Sequence, residues 1–114
     1  MSRDEATILD ILNAARRAVR FCQDLDRASF QPDSKVYFAV LHQFTIIGEA
    51  AKRLSEAFRS TYPQFPWKDM AGMRDVLVHR YDDVSPEEVW RAVEEDLPRL
   101  IRGLEAMIPS SSSQ

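Results

Sequence analysis

Four residues between positions 74 and 81 have side chains that could perform chemistry together. Arg74, Asp75, His79 and Tyr81 supply a permanent cation, a carboxylate, an imidazole that titrates near neutral pH and a phenol. On a helix, Asp75 and His79 are four residues apart and lie on one face, so the carboxylate could orient the imidazole and raise its basicity. Arg74 and His79 lie about 140° apart around an ideal helix. Both can border one cleft if the helix frays near His79.

Other interpretations of the same residues stay open. A single histidine near a helix end is more often a surface residue or a partner of the helix dipole. Arg74 and Asp75 could form surface ion pairs, and Tyr81 could pack its ring on the core. The second histidine, His42, is on an apolar helix, where we expect a core or interface residue.

The composition limits the class of protein. The chain has 114 residues, which predicts a single domain, and its 15 basic and 18 acidic residues give a net charge of −3. This balance excludes a dispersed polybasic nucleic-acid binder but allows a local basic patch. The lone Cys22 excludes an internal disulfide and a cysteine zinc site, and we expect no metal and no cofactor. With no membrane-length apolar run and no signal-peptide pattern, we expect a cytoplasmic protein.

Apolar periodicity predicts that helices must position these groups. The capping-box spacing of Ser2 and Glu5 opens an amphipathic helix of about six turns. A second helix is predicted near 34–59, with apolar residues on more than one face, so it is central or packs on a partner. Gly48 lies within it, either as the point where another backbone approaches or as a neutral helix glycine.

The second half of the chain predicts two more helices. After a stiff loop at 61–66, a short helix covers Trp67 to about His79. Ser85, followed by proline and two glutamates, starts the last helix, which Pro98 should kink. The prediction is an all-α, antiparallel four-helix bundle, with one domain at 1–108 and a disordered tail at 109–114.

The spacing Arg74-x4-His79-x-Tyr81 matches a family signature. It resembles the HEPN superfamily, whose core motif is Arg-x4–6-His, and in its full form the HepT-like branch, the toxin half of HepT–MntA type toxin–antitoxin pairs. Flanking segments agree with this resemblance: Ile47-Gly48-Glu49-Ala50-Ala51-Lys52-Arg53-Leu54, Pro66-Trp67-x2-Met70-Ala71-Gly72-Met73-Arg74, Val84-x4-Val89-Trp90 and Asp96-Leu97-Pro98-x-Leu100. One departure is Asp75, where the superfamily frequently has asparagine.

The resemblance implies a metal-independent endoribonuclease that works as a homodimer. RNA cleavage without metal needs a base for the 2′-hydroxyl, an acid for the leaving oxygen and a cation for the charged phosphorane. His79 suits the first two roles and Arg74 the third, while Asp75 would support His79. Because one chain offers a single suitable histidine, a two-fold dimer would supply the second proton-transfer group.

The resemblance gives Tyr81 a different role. In HepT-like proteins the tyrosine of this motif accepts AMP from the cognate nucleotidyltransferase, here an MntA-like antitoxin, and the added phosphate would block the RNA site. Two alternatives remain. The chain could be a non-catalytic HEPN module that binds a nucleotide or the partner enzyme, a reading that Asp75 and the acidic balance favour, or a purely structural helical dimer.

Overall fold

The computed structural model describes residues 2–108, and every regular element within that range is helical. The main helices are α1 (Arg3–Cys22), α2 (Lys35–Arg53), α3 (Glu56–Thr61), α4 (Trp67–His79), α5 (Pro86–Arg91) and α6 (Leu97–Met107). Short 3-10 turns follow α1 and α4, at Arg27–Ser29 and Tyr81–Asp83. The prediction of an all-α bundle is confirmed; the predicted tail at 109–114 lies outside the described residues. No helix among residues 2–108 is long and apolar enough to cross a membrane.

Helix α2 is the centre of the bundle. It packs against α1 on one side and α4 on the other, while α1 also packs against α6. Fully buried Ala14, Ala15 and Ala18 allow the neighbours of α1 to approach closely, because their side chains are small. The prediction that the apolar second helix is central is therefore confirmed.

Local capping signals set several helix starts. Ser2 and Glu5 form the predicted reciprocal capping box at α1. Ser85 and Glu88 form another at α5, where Pro86 occupies the first turn. In each case a hydroxyl oxygen accepts a backbone N–H that would otherwise lack a partner.

The expected single helix over 34–59 is wrong. The helix ends at Arg53, Leu54 is extended (φ −64°, ψ 142°), and α3 begins two residues later. Ser55 explains the break, since its backbone N–H and hydroxyl donate to the Asp4 carboxylate at 3.0 and 2.7 Å. Its hydroxyl oxygen also caps α3 by accepting the Phe58 N–H.

The disturbance expected at Pro98 takes the form of a π-helical turn at Ala92–Asp96. There the Leu97 N–H donates to the Ala92 carbonyl, five residues back rather than four. The wider turn lies just before the proline, whose ring would clash with a carbonyl of a regular preceding turn.

Candidate active site

An aromatic cluster anchors the start of α4. The predicted bounds of this helix, Trp67 to His79, are confirmed. Its N-terminus has no side-chain cap, but the Trp67 indole N–H donates to the Tyr62 carbonyl at 2.9 Å. The Trp67 ring also packs against Phe58 and Phe65. The helix that carries the candidate residues is thus held at its first turn.

Gly48 lies where α4 crosses α2, and this crossing positions Arg74. A Cβ atom at Gly48 would lie 2.2 Å from the Arg74 Cβ and 2.6 Å from the Met70 carbonyl oxygen. Both distances are shorter than any real contact, so only glycine permits this approach. The close-approach interpretation of Gly48 is confirmed. Near the start of α2, the Tyr37 hydroxyl donates to the carbonyl of Val84, which follows the end of α4, at 3.4 Å. The two helices therefore run in opposite directions.

Four charged side chains surround this crossing. The Arg74 guanidinium donates to the Glu49 carboxylate on α2 and to the Asp75 carboxylate on its own helix, both at 3.1 Å. The Lys52 ammonium, one turn after Glu49, donates to the same Asp75 oxygen at 2.6 Å. Only 23% of the Arg74 side chain is exposed. We call Glu49, Lys52, Arg74 and Asp75 the charge cluster.

Hydrogen bonds within the charge cluster favour the charged forms of Asp75 and Arg74. Hydrogen bonds from Lys52 and then Arg74 lower the pKa of the Asp75 carboxyl group. Hydrogen bonds to Asp75 and then Glu49 raise the pKa of the Arg74 guanidinium further above its already high value. At neutral pH the cluster therefore contains two cations and two anions, with no net charge.

Sequence reasoning missed Glu49 and Lys52 as members of the site. Both occur in the Ile47–Leu54 segment that carries part of the resemblance, but their pairing with residues 23 to 25 positions away depends on how α2 and α4 pack. The spacing of Glu49 and Lys52, three residues apart on one helix face, was the available signal.

His79 is the last residue of α4, and it is exposed. The backbone leaves the helical conformation at Arg80 (φ −149°, ψ 52°) and forms the turn that carries Tyr81. The helix thus ends at His79, where fraying was expected to help it share a cleft with Arg74. Within residues 2–108, the Asp75 carboxylate accepts hydrogen bonds from Lys52 and Arg74, and none joins it to His79.

Apolar side chains are exposed at the same end of the α2–α4 pair. Phe38 near the start of α2 is 50% exposed, and Val78 and Tyr81 are 47% and 54% exposed. His42, one turn after Phe38, is exposed, so the expectation of a core histidine is wrong. The buried residues near it on α2 are Val40, Leu41 and Phe44. An interface role for His42 stays a prediction.

Comparison with known proteins identifies the family. A model of the HepT-like family, described as "Ribonuclease HepT-like", matches residues 11–107. The chain belongs to the HepT-like family. The probable ribonuclease HepT of Thermococcus cleftensis is 38% identical and aligns over 80% of this chain and 83% of its own length. Two Methanocaldococcus jannaschii proteins with provisional RNase names are 34% and 38% identical, over 89% and 90% of this chain and 93% and 85% of theirs.

HepT-like membership confirms the resemblance on which the sequence interpretation rested. Because the family is one of ribonucleases, it supports an enzyme that acts on RNA rather than a purely structural dimer. No solved structure shows a significant match to this chain. The roles of individual residues in this HepT-like protein are therefore inferred from its own charge cluster and from the end of α4.

Proposed function

We propose that this protein is a homodimeric, metal-independent endoribonuclease in which Arg74 and His79 are the catalytic residues. One observation carries the proposal. A single helix, α4, bears a guanidinium that the charge cluster holds in place and, at its last residue, an exposed imidazole. Guanidinium binds phosphate oxygens through paired N–H donors, and imidazole exchanges protons near neutral pH.

The proposed reaction is an internal transesterification. His79 takes the proton of a ribose 2′-hydroxyl, and the 2′-oxygen attacks the adjacent phosphorus. Arg74 stabilises the negative charge that builds up on the phosphorane oxygens. As the bond to the 5′-oxygen breaks, an acid protonates that leaving oxygen. The products are a 2′,3′-cyclic phosphate and a 5′-hydroxyl.

A second copy of the chain would supply the acid. With one imidazole at the end of α4, a site within one chain lacks the second proton-transfer group that the reaction needs. A two-fold axis near this end would bring both His79 side chains to one groove. The exposed Phe38 and Val78 support an interface there, since apolar side chains gain stability when they leave water.

We further propose that Tyr81 accepts AMP from a nucleotidyltransferase, and that the pair forms a toxin–antitoxin system. The exposure of Tyr81, two residues after His79, supports this role because a modifying enzyme could reach the phenol. A phosphodiester there would place negative charge beside the groove and repel the RNA backbone. Intact mass after co-expression with an MntA-like partner should rise by whole AMP units, and Tyr81→Phe should abolish the rise.

RNA cleavage in EDTA tests the proposed activity. Purified wild-type protein should cut an oligoribonucleotide, whereas His79→Ala or Arg74→Ala should slow cleavage on the order of 100-fold or more. Arg16→Ala, which removes an exposed ion pair with Glu105, is the matched control and should cleave normally. Undiminished cleavage by folded His79→Ala protein would refute the assignment.

A second candidate, a non-catalytic module that binds a nucleotide or a partner, is favoured by one observation. Two carboxylates already contact Arg74 and compete with any incoming phosphate. This candidate predicts AMP transfer to Tyr81 by the partner but no RNA cleavage by the purified dimer. Cleavage in the EDTA assay decides against it.

A further inference from the structure

We infer that Lys52 is a positioning residue for the proposed ribonuclease, and that it acts by neutralising Asp75 so that Arg74 stays available to phosphate. The inference rests on the proposed function. Lys52 lies on α2, outside the motif that carries Arg74 and His79. It is nevertheless the nearest partner of Asp75 in the charge cluster, at 2.6 Å against 3.1 Å for Arg74.

The geometry makes Lys52 and Arg74 competitors for one oxygen. Both donate to the same Asp75 carboxylate oxygen, while Glu49 occupies another part of the guanidinium. Without Lys52, Asp75 would have Arg74 as its only cation within the cluster. The carboxylate would then hold the guanidinium more strongly and compete more effectively with a phosphate for its N–H donors.

The charge balance leads to the same expectation. With Lys52 present, the cluster has two positive and two negative groups. Removing the ammonium leaves one excess negative charge beside the cation that must meet phosphate. At physiological ionic strength, charges this close lie within the ~8 Å screening length, so the repulsion persists in solution.

A double-mutant cycle tests this relation. Lys52→Met should lower kcat/KM for an oligoribonucleotide on the order of five- to tenfold, because it leaves Arg74 as the only counter-cation of Asp75. In an Asp75→Asn background the same substitution should cost less than about twofold, because asparagine needs no counter-cation. Lys52→Arg, which keeps the charge, should retain most of the activity.

Arg53→Met is the matched control. Arg53 is the next residue on α2, is similarly exposed, and pairs with Asp10 on α1 at 3.6 Å. It removes the same net charge from the same helix but does not touch Asp75. Its kcat/KM should stay within about twofold of wild type, and all variants should melt at similar temperatures because exposed ion pairs contribute little to stability.

A binding titration with an uncleavable 2′-O-methyl oligoribonucleotide gives a second readout. The Kd of Lys52→Met for this oligonucleotide should be higher than that of wild type. The Kd of the double variant Lys52→Met/Asp75→Asn should equal that of Asp75→Asn. An equal loss in both backgrounds would overturn the inference, since Lys52 would then contact the substrate directly; so would no loss at all. Failure of the proposed function is distinguishable, because then either wild-type protein would not cleave RNA or Arg74→Ala would cleave as well as wild type.

Discussion

The N-terminal part of α4 and its C-terminal end differ in how firmly the folded chain holds them. The N-terminal part, from Trp67 to Arg74, is anchored by an aromatic cluster, crosses α2 at Gly48 and ends in the charge cluster. The C-terminal end, Val78 and His79, and the following turn with Tyr81 present exposed apolar and polar side chains. One chain therefore fixes Arg74, the proposed phosphate-binding group, and leaves His79, the proposed proton-transfer group, exposed.

This difference suggests a division of labour between folding and assembly. A guanidinium that must meet a phosphate is useful only if its direction is set before the substrate arrives. Two carboxylates on different helices provide that direction for Arg74. In the proposed dimer, association would order the His79 end, so catalysis would depend on the second copy.

Replacing an exposed apolar residue tests the proposed dimer contact at the C-terminal end of α4. Phe38→Glu should dissociate the proposed dimer, because it places a charge in the apolar contact, and cleavage should fall more than about tenfold. Sedimentation velocity and RNA cleavage would report both effects. Phe21→Glu, at an exposed phenylalanine near the end of α1, is the control and should remain dimeric and active. A dimeric, active Phe38→Glu variant would place the interface elsewhere.

Substitution of Gly48, where α4 crosses α2, would disturb the N-terminal part of α4 that holds Arg74. Gly48→Ala should lower the free energy of unfolding by about 1–3 kcal/mol, because its Cβ would clash with Arg74 and with backbone. It should also displace Arg74 and reduce cleavage. Gly72→Ala is the matched control: a Cβ there meets no heavy atom within 4 Å, so alanine should stabilise α4 by up to about 1 kcal/mol. Urea unfolding measures both changes.

Features that depend on nearby residues were predictable from the sequence, whereas features that depend on distant residues were not. The caps at Ser2 and Ser85 and the bounds of α4 depend on nearby residues, and they were predicted correctly. The break at Leu54 depends on Asp4, some fifty residues away, and was missed.

The local features of the candidate site were predictable from the sequence, and its long-range contacts were not. The Arg74-x4-His79-x-Tyr81 spacing is local and pointed to the family, which the match over residues 11–107 confirms. The α2 partners of Arg74 and Asp75, which are Glu49 and Lys52, were not predictable, because helix periodicity does not reveal which residues of two helices face each other. For the same reason, periodicity did not decide between the core and interface alternatives for His42, which is exposed.

A smaller effect concerns the junction of α1 with α3. Hydrogen bonds from the Ser55 backbone and then its hydroxyl lower the pKa of the Asp4 carboxyl group below its usual value near 3.8. A lowered native pKa means that this stabilisation is present above the unfolded pKa and is lost as pH falls through the native value. Asp4→Asn should thus lower the melting temperature slightly at pH 7 and not at pH 2. An equal deficit at both pH values would contradict this origin.

The central claim, that one chain fixes Arg74 and a second copy completes the site, is tested most directly by dilution. Specific RNA-cleaving activity in EDTA would be measured across protein concentrations at which sedimentation shows dimer giving way to monomer. The account predicts that specific activity falls in parallel with the dimer fraction. Constant specific activity in the fully monomeric range would contradict it.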